Sequence, residues 1–203
     1  MKKTMKMNHQ IRSQEKLITE YIEQSIQTKQ RLLETKREII EQIVGEIVKA
    51  LQHDNKVLWF GNGGSAADAQ HLACELVSKF FLERKALASL ALTTNTSELT
   101  GIANDYSFDR VFARQVEALA RPGDIVIGIT TSGNSPNVIE AIKVAKRLGA
   151  ITVGFTGESG GRLKDYVDYL LDVPSKVTPH IQESHITIGH LICLLVEKQI
   201  FGE

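Results

Sequence analysis

The chain has 203 residues, 42% of them hydrophobic and 24% charged, with 24 Lys+Arg against 24 Asp+Glu. That is the length and composition of one globular domain with a sizeable core. A formal net charge of +0 supplies no overall pull toward nucleic acid or an anionic membrane, so neither is expected as a partner.

The opening MKKTMKM is basic, but polar NHQIRSQEK follows it in place of a signal-peptide apolar core. No apolar run approaches the roughly 20 residues of a membrane span. The expected location is cytoplasmic. Residues 1–14 read as a flexible N-terminal segment and 15–203 as a single domain. From Ile18 to Leu51 the residues Ile18, Tyr21, Ile22, Ile26, Ile39, Ile40, Ile43, Val44, Ile47, Val48 and Leu51 recur at helical spacing, which predicts two amphipathic helices or one long broken one. Helices with so much apolar surface need cover, and a second copy of the chain is the plausible source, so a homo-oligomer is expected.

Short apolar runs then alternate with helical stretches. Val57–Phe60, Ser89–Leu92, Ile125–Ile129, Ile151–Phe155 and Tyr169–Val173 read as strands. Such alternation predicts crossover connections and a mostly parallel sheet covered on both faces, the αβα sandwich of the α/β class. Residues 181–200 close the chain as an apolar helix carrying His185, His190 and, near its start, Gln182. The two cysteines, Cys74 and Cys193, each fall in an apolar helical pattern without a CxxC pair. Both are expected as core filler, not as a disulfide or a thiolate metal site.

Two loops suit an anion. Gly61, Asn62, Gly63, Gly64 and Ser65 follow the first strand and open a helix. In a parallel sheet, ligands sit beyond the carboxyl ends of strands, and glycines let backbone N–H groups approach. The loop lacks the third spaced glycine of a dinucleotide fingerprint and the Gly-Lys-Ser/Thr ending of a P-loop. Thr130, Thr131, Ser132, Gly133, Asn134 and Ser135 repeat the arrangement after the third strand, with Ser135 at the expected N-cap and Pro136 just inside the helix. Hydroxyls and oriented amides without a basic residue in the loop suit a compact dianion such as a sugar phosphate; an elaborate helix cap is the plainer alternative.

His71 and Glu75 stand four apart on one helix face. Gln182 and His190 stand eight apart on the last helix, a little over two turns. Separately, the first pair reads as surface residues and His190 as a core histidine. Together, two imidazoles, a carboxylate and an amide form a set able to hold zinc. The same groups can run proton transfer next to a carbonyl, with Glu75 and His190 as base and acid.

In order, GNGGSAADAQHLACEL, GIANDYSFDRVFARQVEAL, GDIVIGITTSGNSPNVIEAI and IQESHITIGHLICLLVE resemble the phosphoheptose isomerases of the SIS-domain superfamily, over about residue 15 to the C-terminus. The resemblance implies a five-stranded, flavodoxin-type sheet with N-terminal oligomerisation helices. It implies conversion of sedoheptulose 7-phosphate to D-glycero-D-manno-heptose 7-phosphate through an enediol, the first step toward nucleotide-activated heptose for surface glycans such as lipopolysaccharide.

Carried over by position, Asn62, Gly63, Gly64 and Ser65 match the first substrate loop, Asn104 and Asp105 an Asn-Asp pair near the sugar, and Thr130, Thr131, Ser132 and Ser135 the phosphate loop. His71, Glu75, Gln182 and His190 match the ligands of one zinc per subunit, with Glu75 and His190 also the catalytic pair and Glu75 and Gln182 also on the substrate. A homotetramer with active sites between subunits is implied. Lys79 and His180 depart from the family's arginines, and a lysine cannot reproduce a bidentate arginine clamp. The alternative is a non-catalytic SIS-domain tetramer that binds the replication initiator; such relatives lack a histidine at the position of His190.

Overall fold

The computed structural model describes residues 2–202, with side chains from residue 14 onward. The segment expected to be flexible, 1–14, falls almost wholly outside the described side chains. Helix α1 (Lys2–Thr35) and helix α2 (Arg37–Gln52) open the chain. They match the broken amphipathic helix of the sequence, and the break is at Lys36, whose Nζ reaches Asp172 Oδ1 at 2.6 Å.

The strands are β1 (Val57–Gly61), β2 (Ser89–Ala91), β3 (Ile125–Ile129), β4 (Ile151–Thr156) and β5 (Tyr169–Asp172). All pair in parallel in the order β2-β1-β3-β4-β5, the flavodoxin order. The remaining helices are α3 (Gly64–Val77), α4 (Thr96–Asp105), α5 (Val111–Leu119), α6 (Pro136–Arg147) and α7 (Thr178–Phe201).

Alternation along each strand divides the core in two. From β1, Val57 and Trp59 join Ile43, Ile47, Leu72, Ile188 and Ile192 of α2, α3 and α7 on one face. Leu58 and Phe60 join Phe112, Val116, Val138 and Ile142 of α5 and α6 on the other. The sheet is therefore the middle layer of an αβα sandwich, as its continuous apolar strands require. Its lower edge is pinned by Asp124, which has no exposure and accepts from the N–H of Lys56 (3.0 Å) and Arg121 (2.8 Å), Asn55 Nδ2 (3.1 Å) and Lys56 Nζ (2.6 Å). Burial pushes that carboxyl up, but these donors together hold it below the usual carboxylate range.

Candidate functional site

The connection from β1 leads to α3 on one face and that from β3 leads to α6 on the other. This reversal opens a crevice beyond the carboxyl ends of the two strands. Both glycine- and hydroxyl-bearing loops lie there. They are stitched by a reciprocal amide pair, Asn62 Nδ2 to Asn137 Oδ1 and Asn137 Nδ2 to Asn62 Oδ1, each 2.9 Å.

In the first loop, Gly63 caps α3 at φ 56° and Ser65 is buried. A Cβ on Gly64 would stand 2.5 Å from Gln182 Nε2, so a bare glycine is what admits the amide of α7 to the loop. In the second loop, Thr130 Oγ1 meets Ser135 Oγ at 2.9 Å and Ser132 Oγ at 3.3 Å, and the N–H of Asn134 donates to Ser132 Oγ at 3.1 Å. Ser135 occupies the N-cap of α6 as expected, but its hydroxyl turns toward Thr130 and not onto the helix N–H groups. Pro136 has no N–H, the N–H of Val138 donates to Asn137 Oδ1 at 2.9 Å and that of Ile139 to the Ser135 carbonyl at 3.1 Å. The N–H of Asn137 is therefore what the start of α6 offers an anion. Thr131 and Ser132 line a cavity of about 230 Å³ with Glu158, Ser175, Lys176, Thr178 and Ile181. Lys176 brings the positive charge that the loop itself lacks; as one of many exposed lysines it gives no sequence signal.

Helices α3 and α7 pack in parallel, with Gly64 opposite Gln182 and Leu72 opposite Gly189. This register sets His71 beside His190. Their Nε2 atoms are 2.8 Å apart, Glu75 Oε1 is 3.1 Å from His71 Nε2, and the three donors lie within 4.8 Å of one another. Zinc bonds of about 2.0–2.2 Å separate neighbouring donors by roughly 3–3.5 Å. The His71–Glu75 separation falls in that range and the His71–His190 separation is slightly shorter, so two imidazoles and a carboxylate converge from two helices close to the spacing a zinc ion needs.

Gln182 stands eight residues, roughly 12 Å of helix rise, before His190 on α7, with its side-chain amide against Gly64 of the first loop. Asn104 and Asp105 stand apart, exposed at the end of α4, whose apolar residues pack on the opposite sheet face, and Asn104 Nδ2 donates to Asp105 Oδ1 at 2.9 Å.

Asp68 was not singled out by sequence. It lies one turn before His71, and its Oδ2 is buried with no partner among the described residues. Burial pushes its carboxyl up to about 6, against a smaller lowering by His71. Its spacing of three from His71 was the available signal. Lys79 is exposed and paired with Glu83 at 2.5 Å, turned to a local surface contact. His180 is buried, with Nδ1 2.9 Å from Glu183 Oε1 and its ring 4.6 Å from that of Tyr21. Cys193 is buried as expected, but Cys74 is exposed because it sits on the outward side of α3, away from Leu72 and Leu76.

The fold and crevice define a class. The SIS domain family profile matches residues 20–157. A curated relative from Clostridium acetobutylicum, a phosphoheptose isomerase, is 53% identical over 90% of this chain and 94% of its own. Solved phosphoheptose isomerase structures from Neisseria gonorrhoeae and Francisella tularensis superpose with TM-scores of 0.86 and 0.87, at 42% and 38% identity. They cover 91% and 89% of this chain and 98% and 96% of theirs. The chain belongs to the phosphoheptose isomerase family. Relatives so named favour an enzyme over the non-catalytic initiator-binding alternative. Among the described residues no helix is long and apolar enough to cross a membrane.

Proposed function

We propose that the chain isomerises sedoheptulose 7-phosphate to D-glycero-D-manno-heptose 7-phosphate in the cytoplasm, supplying an early step of activated-heptose synthesis for surface glycans such as lipopolysaccharide. The convergence of His71, Glu75 and His190 from two helices, together with a hydroxyl-lined anion loop whose cavity reaches the start of α7, carries this reading.

The phosphate sits on Thr130, Thr131, Ser132 and Ser135 at the start of α6, with Lys176 nearby. Asn62, Gly63, Gly64, Ser65 and Gln182 hold the sugar. His71, Glu75 and His190, with Gln182 as the fourth position matched to the family, would hold one zinc per subunit, which would polarise a carbonyl as a Lewis acid. Glu75 takes a proton from C1 of the ketose to give the enediol, and His190 handles the proton at the C2 oxygen or carbon, so the proton crosses between adjacent carbons. Asn104 and Asp105, remote from their own cluster, fit a homotetramer whose sites lie between subunits. Residues 15–203 act as one domain with α1 and α2 as the assembly surface.

Proton NMR of sedoheptulose 7-phosphate with wild type, Glu75→Gln and His190→Gln, with and without zinc, tests this. An aldoheptose anomeric signal is expected with wild type, and each variant should slow it at least about a hundredfold. A folded, zinc-loaded wild type that leaves the ketose unchanged would sink the isomerase reading.

A further inference from the structure

The zinc cluster needs α3 and α7 held at one separation, and the contact that holds them lies outside the residues assigned so far. Glu197 is wholly buried near the end of α7, seven residues beyond His190. Its Oε1 accepts from the N–H of Phe80 (3.1 Å) and from Arg84 Nε (2.9 Å), and its Oε2 accepts from the N–H of Phe81 (2.8 Å) and Leu82 (3.0 Å). Burial pushes the carboxyl up, but the three backbone N–H groups and Arg84 together hold it below the usual range.

Arg84 is nearly as buried as Glu197 and returns to the helix that carries the carboxylate ligand. Its Nη2 donates to the carbonyl of Glu75 (2.9 Å), and its Nη1 to those of Leu76 (2.8 Å) and Ser78 (3.2 Å). The last carbonyls of a helix have no partner within it. The guanidinium therefore caps α3 at the residue whose side chain enters the cluster. The turn so held brings the Phe80 ring to 5.6 Å from the His190 ring, tilted by 32°.

A buried ion pair is weak evidence for stability, since well-packed apolar replacements often do as well. What this pair adds is direction. Four bonds converge on one carboxylate, and a planar fork ties it to the backbone of Glu75.

We propose that Glu197 and Arg84 are positioning residues: they lock the end of α3 and the Phe80 turn onto α7, so that Glu75 and His190 meet at one point. This rests on the isomerase reading above. Neither residue touches the substrate; both act through Glu75 and His190.

Glu197→Gln keeps the shape and an acceptor for the backbone N–H groups but removes the charge facing Arg84. Zinc affinity is read without substrate, by competition with a chromophoric chelator, and kcat and KM are read with sedoheptulose 7-phosphate. The expected result is a zinc Kd raised, and kcat lowered, by about 10- to 100-fold, with KM within about threefold because the phosphate loop is untouched. Phe80→Leu, which leaves the ion pair intact, should raise the zinc Kd about fivefold or more. Asp124→Asn, a buried carboxylate at the opposite edge of the sheet, should lower Tm and leave both zinc Kd and kcat unchanged.

A folded Glu197→Gln protein with wild-type zinc Kd and kcat overturns the proposal. If that variant does not fold, Phe80→Leu decides: wild-type zinc affinity overturns it, and weakened affinity upholds it. A wild type inert toward the sugar phosphate defeats the isomerase reading, while the zinc arm still decides the positioning claim.

Discussion

His185 carries no exposed surface and donates from Nε2 to the Thr156 carbonyl at 3.0 Å, which leaves Nδ1 bare. Burial pushes its imidazole down to about 4, against about 6.5 in an unfolded chain. Between those values the unfolded chain binds a proton that the folded chain refuses, so stability falls as pH drops through 6.5 toward 4. The loss amounts to about 3 kcal/mol by the lower value. Denaturant midpoints at pH 7.5, 6 and 5 should fall in wild type and fall less steeply in His185→Gln; equal slopes would show that another group controls acid sensitivity. By apolar-helix position alone His185 and His190 look alike, and it was the match to the family's motif that picked out His190. Packing supplies the physical reason: His185 is buried and neutral, while His190 opens toward His71.

At the level of elements, the site depends on how closely α3 and α7 approach. A Cβ on Gly189 would press into the buried side chain of Leu72, one residue from both His71 and His190. Gly189→Ala gains about 1 kcal/mol of helix propensity and incurs overpacking of about 1–3 kcal/mol. The expected outcome is a Tm changed by only a few degrees alongside a zinc Kd raised about tenfold, read by calorimetry and chelator competition. Unchanged zinc affinity would mean that the helices tolerate the added methyl without separating.

β1, β3 and β4 were legible as short runs rich in β-branched or aromatic residues, since buried parallel strands have no reason to alternate. β2 (Ser-Leu-Ala) and β5 (Tyr-Leu-Leu-Asp) carried a weaker signal and were read from their place in the alternation with helices. The parts that escaped share one character. Arg84 and Glu197 meet across 113 positions, and neither a loop arginine nor a glutamate at the end of an apolar helix has a periodic signature. The hydroxyl of Ser135 was read as a cap from its place before Pro136, but the nearby Thr130 competes for it. Cys74 shares an apolar stretch with Leu72 and Leu76 yet points outward, since composition does not reveal the side of a helix.

For the whole molecule, α1 leaves Ile18, Tyr21, Ile22 and Ile26 between 48% and 61% exposed in the single chain. Burying each such side chain is worth about 1.5–3 kcal/mol, enough together to drive self-association. If the chain assembles as the proposed tetramer, Ile22→Lys combined with Ile26→Lys should reduce the mass seen by light scattering, and activity should fall with it if sites are shared. A tetramer of full activity would place the assembly surface elsewhere. The pairing of His71 with His190 spans 119 positions. At a synthesis rate of about 5–20 residues per second, α7 leaves the ribosome roughly 6 to 24 s after α3. During that interval a nascent chain presents His71 and Glu75 on a half-built sheet with no third ligand. If the cluster takes zinc as proposed, tight capture would belong to the finished chain, and unfinished copies would hold little of a scarce metal.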